Sequence, residues 1–200
     1  TVICNNGGIC TDIGRRLSTS LVKIASTRIF ANPEQSILEL PVNSLDAYNA
    51  GRKVGKFGMG FFSILYWLVG HPQRSLMIQS CFLDKDNQLK RFQCTLICSE
   101  TGRMMFQFTT VNNNMPRGVD IYLDTRMDPF SDHNVTGFSK QLQKLKYTDS
   151  AALMVYDPES KKEFLYNKSK DTTSKVHVKY HKDGILVRDN ATGISLENLL

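Results

Sequence analysis

Two groups of residues in the first third of the chain have the types and spacing for chemistry on a phosphorylated ligand. The stretch from Val54 to Ser63 reads Val-Gly55-Lys56-Phe57-Gly58-Met59-Gly60-Phe61-Phe-Ser, and the apolar run Ile64–Val69 follows it. Three glycines within six positions, then an apolar segment, describe a loop feeding a helix N-terminus. Glycine lets the backbone approach a ligand closely, and the first amides of a helix have no internal acceptor, so such a loop can take a phosphate. A structural turn before a buried helix is the plainer alternative. Two commoner phosphate loops are excluded by spacing. Lys56 is followed by Phe57 rather than Ser or Thr, and Gly55, Gly58 and Gly60 run in the reverse of the G-x-G-x-x-G order. The second group is Glu39 and Asn43. Four residues apart on a helix, both project from one face toward a shared ligand. A carboxylate there can orient and deprotonate an attacking water, and the amide oxygen of Asn43 suits a Mg²⁺ ion held mainly by phosphate oxygens. Asp46, nearly two turns on, falls on roughly the same side.

These residues need a helix, and the sequence supplies one. Asn32-Pro33-Glu34 offers a cap and a proline at the first helical position, and Ile37, Leu38, Val42, Leu45 and Ala47 then follow a helical period. Pro41 inside it removes one internal hydrogen bond and predicts a bend. An earlier helix is expected over Ser18–Phe30, where Leu21, Ile24 and Ile29 share a stripe, and residues 1–17 read as a loop or N-terminal arm around Asn5-Asn6-Gly7-Gly8. Beyond the glycine stretch, strand-like runs appear at Ser75–Phe82, Leu89–Cys98, Met104–Val111 and Val119–Leu123. More follow at Ala152–Tyr156, Phe164–Tyr166, Val176–Tyr180 and Ile185–Arg188, with a hairpin turn at Asp183-Gly184. Phe138–Leu145 and Leu196–Leu200 read as a helix and the start of another. The expected fold class is α+β, a two-layer sandwich of a mixed or antiparallel sheet with helices packed on one face.

Taken together, these residues resemble the superfamily of gyrase, the ninety-kilodalton heat-shock chaperones, histidine kinases and the mismatch-repair protein MutL. The family's helical motif, Glu, three residues, Asn, two residues, Asp-Ala, stands here as Glu39-Leu-Pro-Val-Asn43-Ser-Leu-Asp46-Ala47. Its glycine box matches Val54 to Ser63 in the chaperone wording. Its adenine-binding turn, Asp-x-Gly-x-Gly-Ile/Met, is approximated by Asp189-Asn190-Ala191-Thr192-Gly193-Ile194, and a weaker third box by Gly118-Val119-Asp120-Ile121-Tyr122-Leu123. The resemblance implies a Bergerat-like fold binding ATP or ADP with Mg²⁺. It makes Glu39 the catalytic base and Asn43 the metal ligand. Nucleotide contacts would come from Asp46, Ala47, Gly55, Lys56, Phe57, Gly58, Met59, Gly60, Phe61, Asp189 and Gly193. Asp189 would accept the exocyclic amine of adenine, discriminating it from the carbonyl that guanine carries there, and Gly193 would let the base come close. Slow ATP hydrolysis, conformational change and a homodimer formed on ATP binding are the activities implied, with an ATP-binding domain over 18–200.

The chain departs from the family's pattern in four places. Ala191 replaces a glycine and must avoid strongly positive φ or accept strain. Val119 replaces a threonine, and Lys56 stands where the family is often polar and neutral. The order of motifs also differs. The family runs helix motif, adenine turn, lid, glycine box, third box, whereas here the adenine turn comes last, within a displaced segment of about residues 174–200. If the strand Ile185–Arg188 inserts beside the strands that follow the glycine box, Asp189 reaches the pocket under Glu39 and Asn43. A non-hydrolysing nucleotide-binding or degenerate interaction module is the main alternative.

A net charge of +6 permits an acidic partner such as a nucleotide. Nucleic acid is supported by charge alone, because the basic residues are spread along the chain. The apolar and charged fractions, 41% and 22%, are those of a globular protein rather than a disordered one. Five cysteines with no C-x-x-C pair disfavour zinc and a disulfide framework and fit reduced buried thiols. The most apolar run, Phe61–Val69, is too short to span a bilayer and Thr1 begins no signal peptide. A soluble protein of the cytoplasm or nucleus, with no membrane partner, is therefore expected. The four histidines, His71, His133, His177 and His181, form no ligand cluster and no nucleophile triad.

Overall fold

Alternation of buried and more exposed residues along the strands shows how they lie. The computed structural model describes residues 2–3, 9–12, 33–48, 64–69, 71–100, 104–111, 114–124, 151–157, 161–165, 173–181 and 184–195. Its strands are β1 (Val2–Ile3), β2 (Ile9–Asp12), β3 (Ser75–Leu83), β4 (Leu89–Cys98), β5 (Met104–Thr110), β6 (Gly118–Asp124), β7 (Ala152–Asp157), β8 (Lys162–Leu165), β9 (Lys175–His181) and β10 (Gly184–Asp189). They form one sheet in the order β1-β2-β5-β4-β3-β6-β10-β9-β7-β8. Every neighbouring pair is antiparallel except β7 and β9, which are parallel, so the sheet is mixed. The expected α+β class with a mixed sheet is what the chain forms. Eight of these strands fall on the runs read from the sequence, within a residue or two at each end.

Register places the apolar alternates of neighbouring strands opposite one another, and opposed residues share a face. Leu76 pairs with Leu123 and Leu96, Ile78 with Ile121 and Cys94, Ile185 with Leu123, Val187 with Ile121 and Val178, and Val155 with Val178. All of these are buried, so one face of the sheet carries the core. Phe106, Phe108, Phe92 and Phe82 extend it toward β5, with ring centroids 5.8 to 6.4 Å apart. The opposite face is mixed: Met77, Tyr122 and Leu186 stand opposite one another on it, beside polar pairs. Arg188 donates from Nε and an Nη to the two carboxylate oxygens of Asp120 at 2.7 and 2.5 Å, and Gln79 donates to Gln93 at 2.8 Å.

The helix α1 (Pro33–Asp46) begins at its proline and runs through Pro41, which is itself buried. It packs against β9 and β10, and against a 3-10 turn at Leu65–Trp67. Ile37, Leu40, Leu45, Ile64, Leu65 and Leu68 join the same core as the buried side of the sheet. Arg74, just before β3, lies with its guanidinium 5.8 Å from the Trp67 ring and donates to the Trp67 carbonyl at 3.0 Å, fixing that turn to the sheet.

Several expectations meet the structure differently or lie beyond it. Part of the arm expected over 1–17 forms the strands β1 and β2, and β2 pairs with β5 to lengthen the sheet. Of the apolar run after the glycine stretch, Ile64 is helical and Leu65–Trp67 form a 3-10 turn, while the glycine loop expected to feed the helix lies outside the described residues. Gly184, read as a turn residue, already belongs to β10 and pairs with His181. The expected helices at 18–30, 138–145 and 196–200 lie outside the described residues. Cys81, Cys94 and Cys98 are free and buried, and burial pushes the Cys94 thiol up to about 12, so it stays protonated and unreactive. No helix among the described residues is long and apolar enough to cross a membrane, and no cluster of metal-ligating side chains occurs among them.

This assignment of faces predicts two unlike outcomes from similar truncations. Ile121→Ala, which empties a core position, should lower unfolding stability by about 2–5 kcal/mol, whereas Leu83→Ala on the exposed hairpin end should change it by less than about 0.5 kcal/mol. Chemical denaturation measures both, and comparable losses would contradict the assignment.

Candidate functional site

The turn after β10 brings the C-terminal motif to the N-terminal helix. Asp189 is the last residue of β10, on the core face, and is 6% exposed. Its Oδ1 accepts the Ala191 amide at 3.0 Å and the Val119 amide of β6 at 3.3 Å, and the Ser44 hydroxyl of α1 also bonds the carboxyl. The first of these is an Asx turn, in which a side chain bonds the backbone two residues on. Ala191 makes it without a left-handed backbone, so the expected strain at the missing glycine does not arise. Val119, where the expected motif has a threonine, contributes its backbone amide.

Beyond Asp189 the turn crosses β6 to reach β3. Ser80, fully buried, donates to the Ile194 carbonyl and accepts the Ile194 amide, both at 2.8 Å. Gly193 adopts φ +78°, and a Cβ there would stand 2.2 Å from the Cys81 carbonyl oxygen. Gly118 adopts φ +138°, and a Cβ there would lie 2.1 Å from the Asp189 carbonyl oxygen. Both glycines are needed because backbone meets backbone, with no room for any side chain.

Burial holds the Asp189 carboxyl well above the usual range, at about 6. The Ala191, Ser44 and Val119 hydrogen bonds oppose that rise, and the negative charge of Asp120 adds to it. At neutral pH the group is an ionised, buried carboxylate, and an incoming N–H donor relieves part of its desolvation. On α1, burial raises the Glu39 carboxyl and the charge of Asp46 raises it further, a direction that favours a proton acceptor.

At about 100° per residue, Asn43 and Asp46 both lie within roughly 40° of Glu39 around the helix. Ser44 is about 140° from Glu39, with Ala47 and Asn43 between them. Glu39, Asn43 and Asp46 are half-buried and Ala47 is exposed. The structure thus puts Asp189 against one side of the helix, with the Glu39–Asn43–Asp46 row about 100° to 160° around the helix from it. Gly193 sits farther along the same turn, over β3. Gly55, Lys56, Phe57, Gly58, Met59, Gly60 and Phe61 lie outside the described residues.

Sequence reading passed over Ser44, Tyr48 and Asn190. Ser44 carried a usable signal: it is polar at the helical phase of Ile37, Leu40 and Pro41, and it is 4% exposed. Asn190 gave none, because its partners Tyr48, Lys175 and Thr173 come from two other regions of the chain.

The raised Asp189 carboxyl has a consequence for stability with a definite sign. The folded state binds this proton more tightly than the unfolded chain, so its contribution is complete below about pH 4 and is lost as pH rises through about 6. A rise from 3.8 to about 6 corresponds to roughly 3 kcal/mol. Asp189→Asn keeps an acceptor for both amides and cannot ionise. It should therefore gain stability relative to the native protein between pH 4 and pH 7, by up to about that amount. Denaturation profiles that stay parallel across this range would remove the buried-charge account. No protein-family model, curated protein or solved structure matches the chain, so the reading of this site rests on its motifs and its geometry.

Proposed function

We propose that the chain is an ATP-binding domain of the gyrase, heat-shock chaperone, histidine kinase and MutL type, with its adenine turn displaced to the C-terminal side. The observation that carries this reading is the docking of Asp189 against Ser44, since the two motifs are 145 positions apart in the chain and their meeting is what a shared ligand requires. The fold would be the family's two-layer sandwich with a non-standard strand order. Asp189 would accept the exocyclic amine of adenine. The ribose and phosphates would run along α1 past Ala47 and Asn43 toward Glu39, with the glycines and Lys56 of residues 55–61 around the phosphates.

Asn43 would hold Mg²⁺, which when bound neutralises phosphate charge. The half-exposed amide of Asn43 beside a carboxylate row fits a hard cation carried in with a nucleotide. Glu39 would orient and deprotonate the attacking water, and its raised affinity for a proton favours hydrolysis over mere binding. Turnover would be slow and coupled to a change of conformation or to association of two copies.

Calorimetric titration with Mg-ATP, Mg-ADP and Mg-GTP, followed by phosphate release, tests this. Adenine nucleotides should bind and GTP should not. Asp189→Ala should weaken ATP binding by about 10- to 150-fold, the equivalent of a charge-assisted hydrogen bond of about 1.5–3 kcal/mol. Glu39→Ala should leave affinity nearly intact and lower turnover by roughly 10²-fold or more, while Asn43→Ala should weaken Mg-nucleotide binding itself. Equal turnover in native and Glu39→Ala protein would sink the catalytic role. Absence of adenine-nucleotide binding would sink the whole reading.

A further inference from the structure

Tyr48 belongs to none of the motifs, yet its hydroxyl joins three separate parts of the chain. It stands two residues past the end of α1, where its amide donates to the Leu45 carbonyl at 3.1 Å. The hydroxyl lies 3.0 Å from the Lys175 carbonyl at the start of β9, contacts the Asn190 side-chain oxygen, and accepts the Asn190 backbone amide at 2.9 Å. With one proton, the hydroxyl donates to one of those two oxygens at a time while accepting from the amide. Asn190 spreads the contact further. Its Oδ1 accepts the Lys175 amide at 2.8 Å and its Nδ2 donates to the Thr173 carbonyl at 2.7 Å. The Tyr48 ring packs against the core.

Asn190 stands between Asp189 and Ala191, and the Ala191 amide is one of the donors that hold Asp189 Oδ1. Fixing the Asn190 backbone therefore fixes both sides of the turn that presents the carboxyl. Ser44 grips the same carboxyl from one turn earlier on the same helix. The end of α1 thus grasps the turn at two consecutive residues, Asp189 through Ser44 and Asn190 through Tyr48.

We propose that Tyr48 is the positioning residue of the Asp189 turn, setting the carboxyl relative to α1 and thereby sharpening selection of adenine over guanine. The selectivity half rests on the nucleotide reading above, and the positioning half does not. A hydroxyl that merely adds stability at a helix end would leave both the Asx turn and the base preference unchanged.

The test uses Tyr48→Phe, which keeps the ring and removes only the hydroxyl, with two readouts on the whole chain. Without ligand, amide hydrogen exchange at Ala191 should speed up about three- to tenfold together with that at Asn190, the change expected for one lost hydrogen bond, while exchange at Ile78 and Val187 stays the same. With ligand, the preference for Mg-ATP over Mg-GTP should narrow by a similar factor. Faster exchange at Asn190 alone would overturn the positioning role, and an unchanged preference in a protein that binds ATP would overturn the selectivity role. If the native protein binds neither nucleotide, the nucleotide reading fails and exchange at Ala191 decides the positioning role by itself. Should Tyr48→Phe not fold, Asn190→Ala removes the side-chain half of the same contact and carries the same Ala191 readout.

Discussion

A buried carboxylate at the junction of three elements governs this structure. Asp189 ends β10, takes an amide from β6 and another from its own turn, and meets a hydroxyl of α1. Each partner comes from a different stretch of chain, so the group can be buried only after β10 has inserted between β6 and β9 and the helix has docked. Until then its charge stays in water. Leaving a carboxylate buried without such partners is costly, so this one residue ties the register of the central strands to the seating of the helix.

The sheet itself creates the need for that helix. The largest run of buried apolar residues lies on one face of the sheet, and that face must be covered to keep it from water. α1 supplies part of the cover over β9 and β10, and the 3-10 turn adjoins it. The polar row on α1 then has a defined place. Because the buried arc of the helix is centred near Pro41, Ser44 and Tyr48, the row of Glu39, Asn43 and Asp46 is turned aside from the core and kept half-exposed. On the far face of the sheet, the Arg188–Asp120 pair clamps β10 to β6 directly beneath the Asp189–Val119 contact. The central strand is therefore held by charge on one side and by an amide–carboxyl bond on the other.

Strand positions were legible because their signal is local. In β3, β4, β6 and β10, alternation together with flanking turns marked each run to within a residue or two. Asp84 illustrates a turn written in sequence, since its carboxylate takes the Asp86 and Gln88 amides and Asn87 adopts a left-handed backbone. Strand order was not legible in the same way. The hairpin turn at Asp183-Gly184 announced β9 as a neighbour of β10, but nothing in Ile185–Asp189 announced β6, and only the motif resemblance pointed there. The short strands β1 and β2 escaped notice because two to four residues give too little alternation to read. The Tyr48–Asn190 contact spans 142 positions and depends on side chains whose types are ordinary in loops and at helix ends. Among the candidate site residues, Glu39, Asn43, Asp46 and Asp189 were named from spacing and resemblance, while Ser44 was hidden inside the motif as an unremarked neighbour.

The central claim is that one nucleotide occupies the space between the Asp189 turn and the polar row of α1. A crystal structure with Mg²⁺ and a non-hydrolysable ATP analogue tests it most directly. The account predicts the exocyclic amine of adenine within hydrogen-bond distance of the Asp189 carboxylate, about 3 Å, with the phosphates beside Asn43 and the glycines of residues 55–61. An adenine ring bound away from Asp189, or phosphates remote from Asn43, would contradict it.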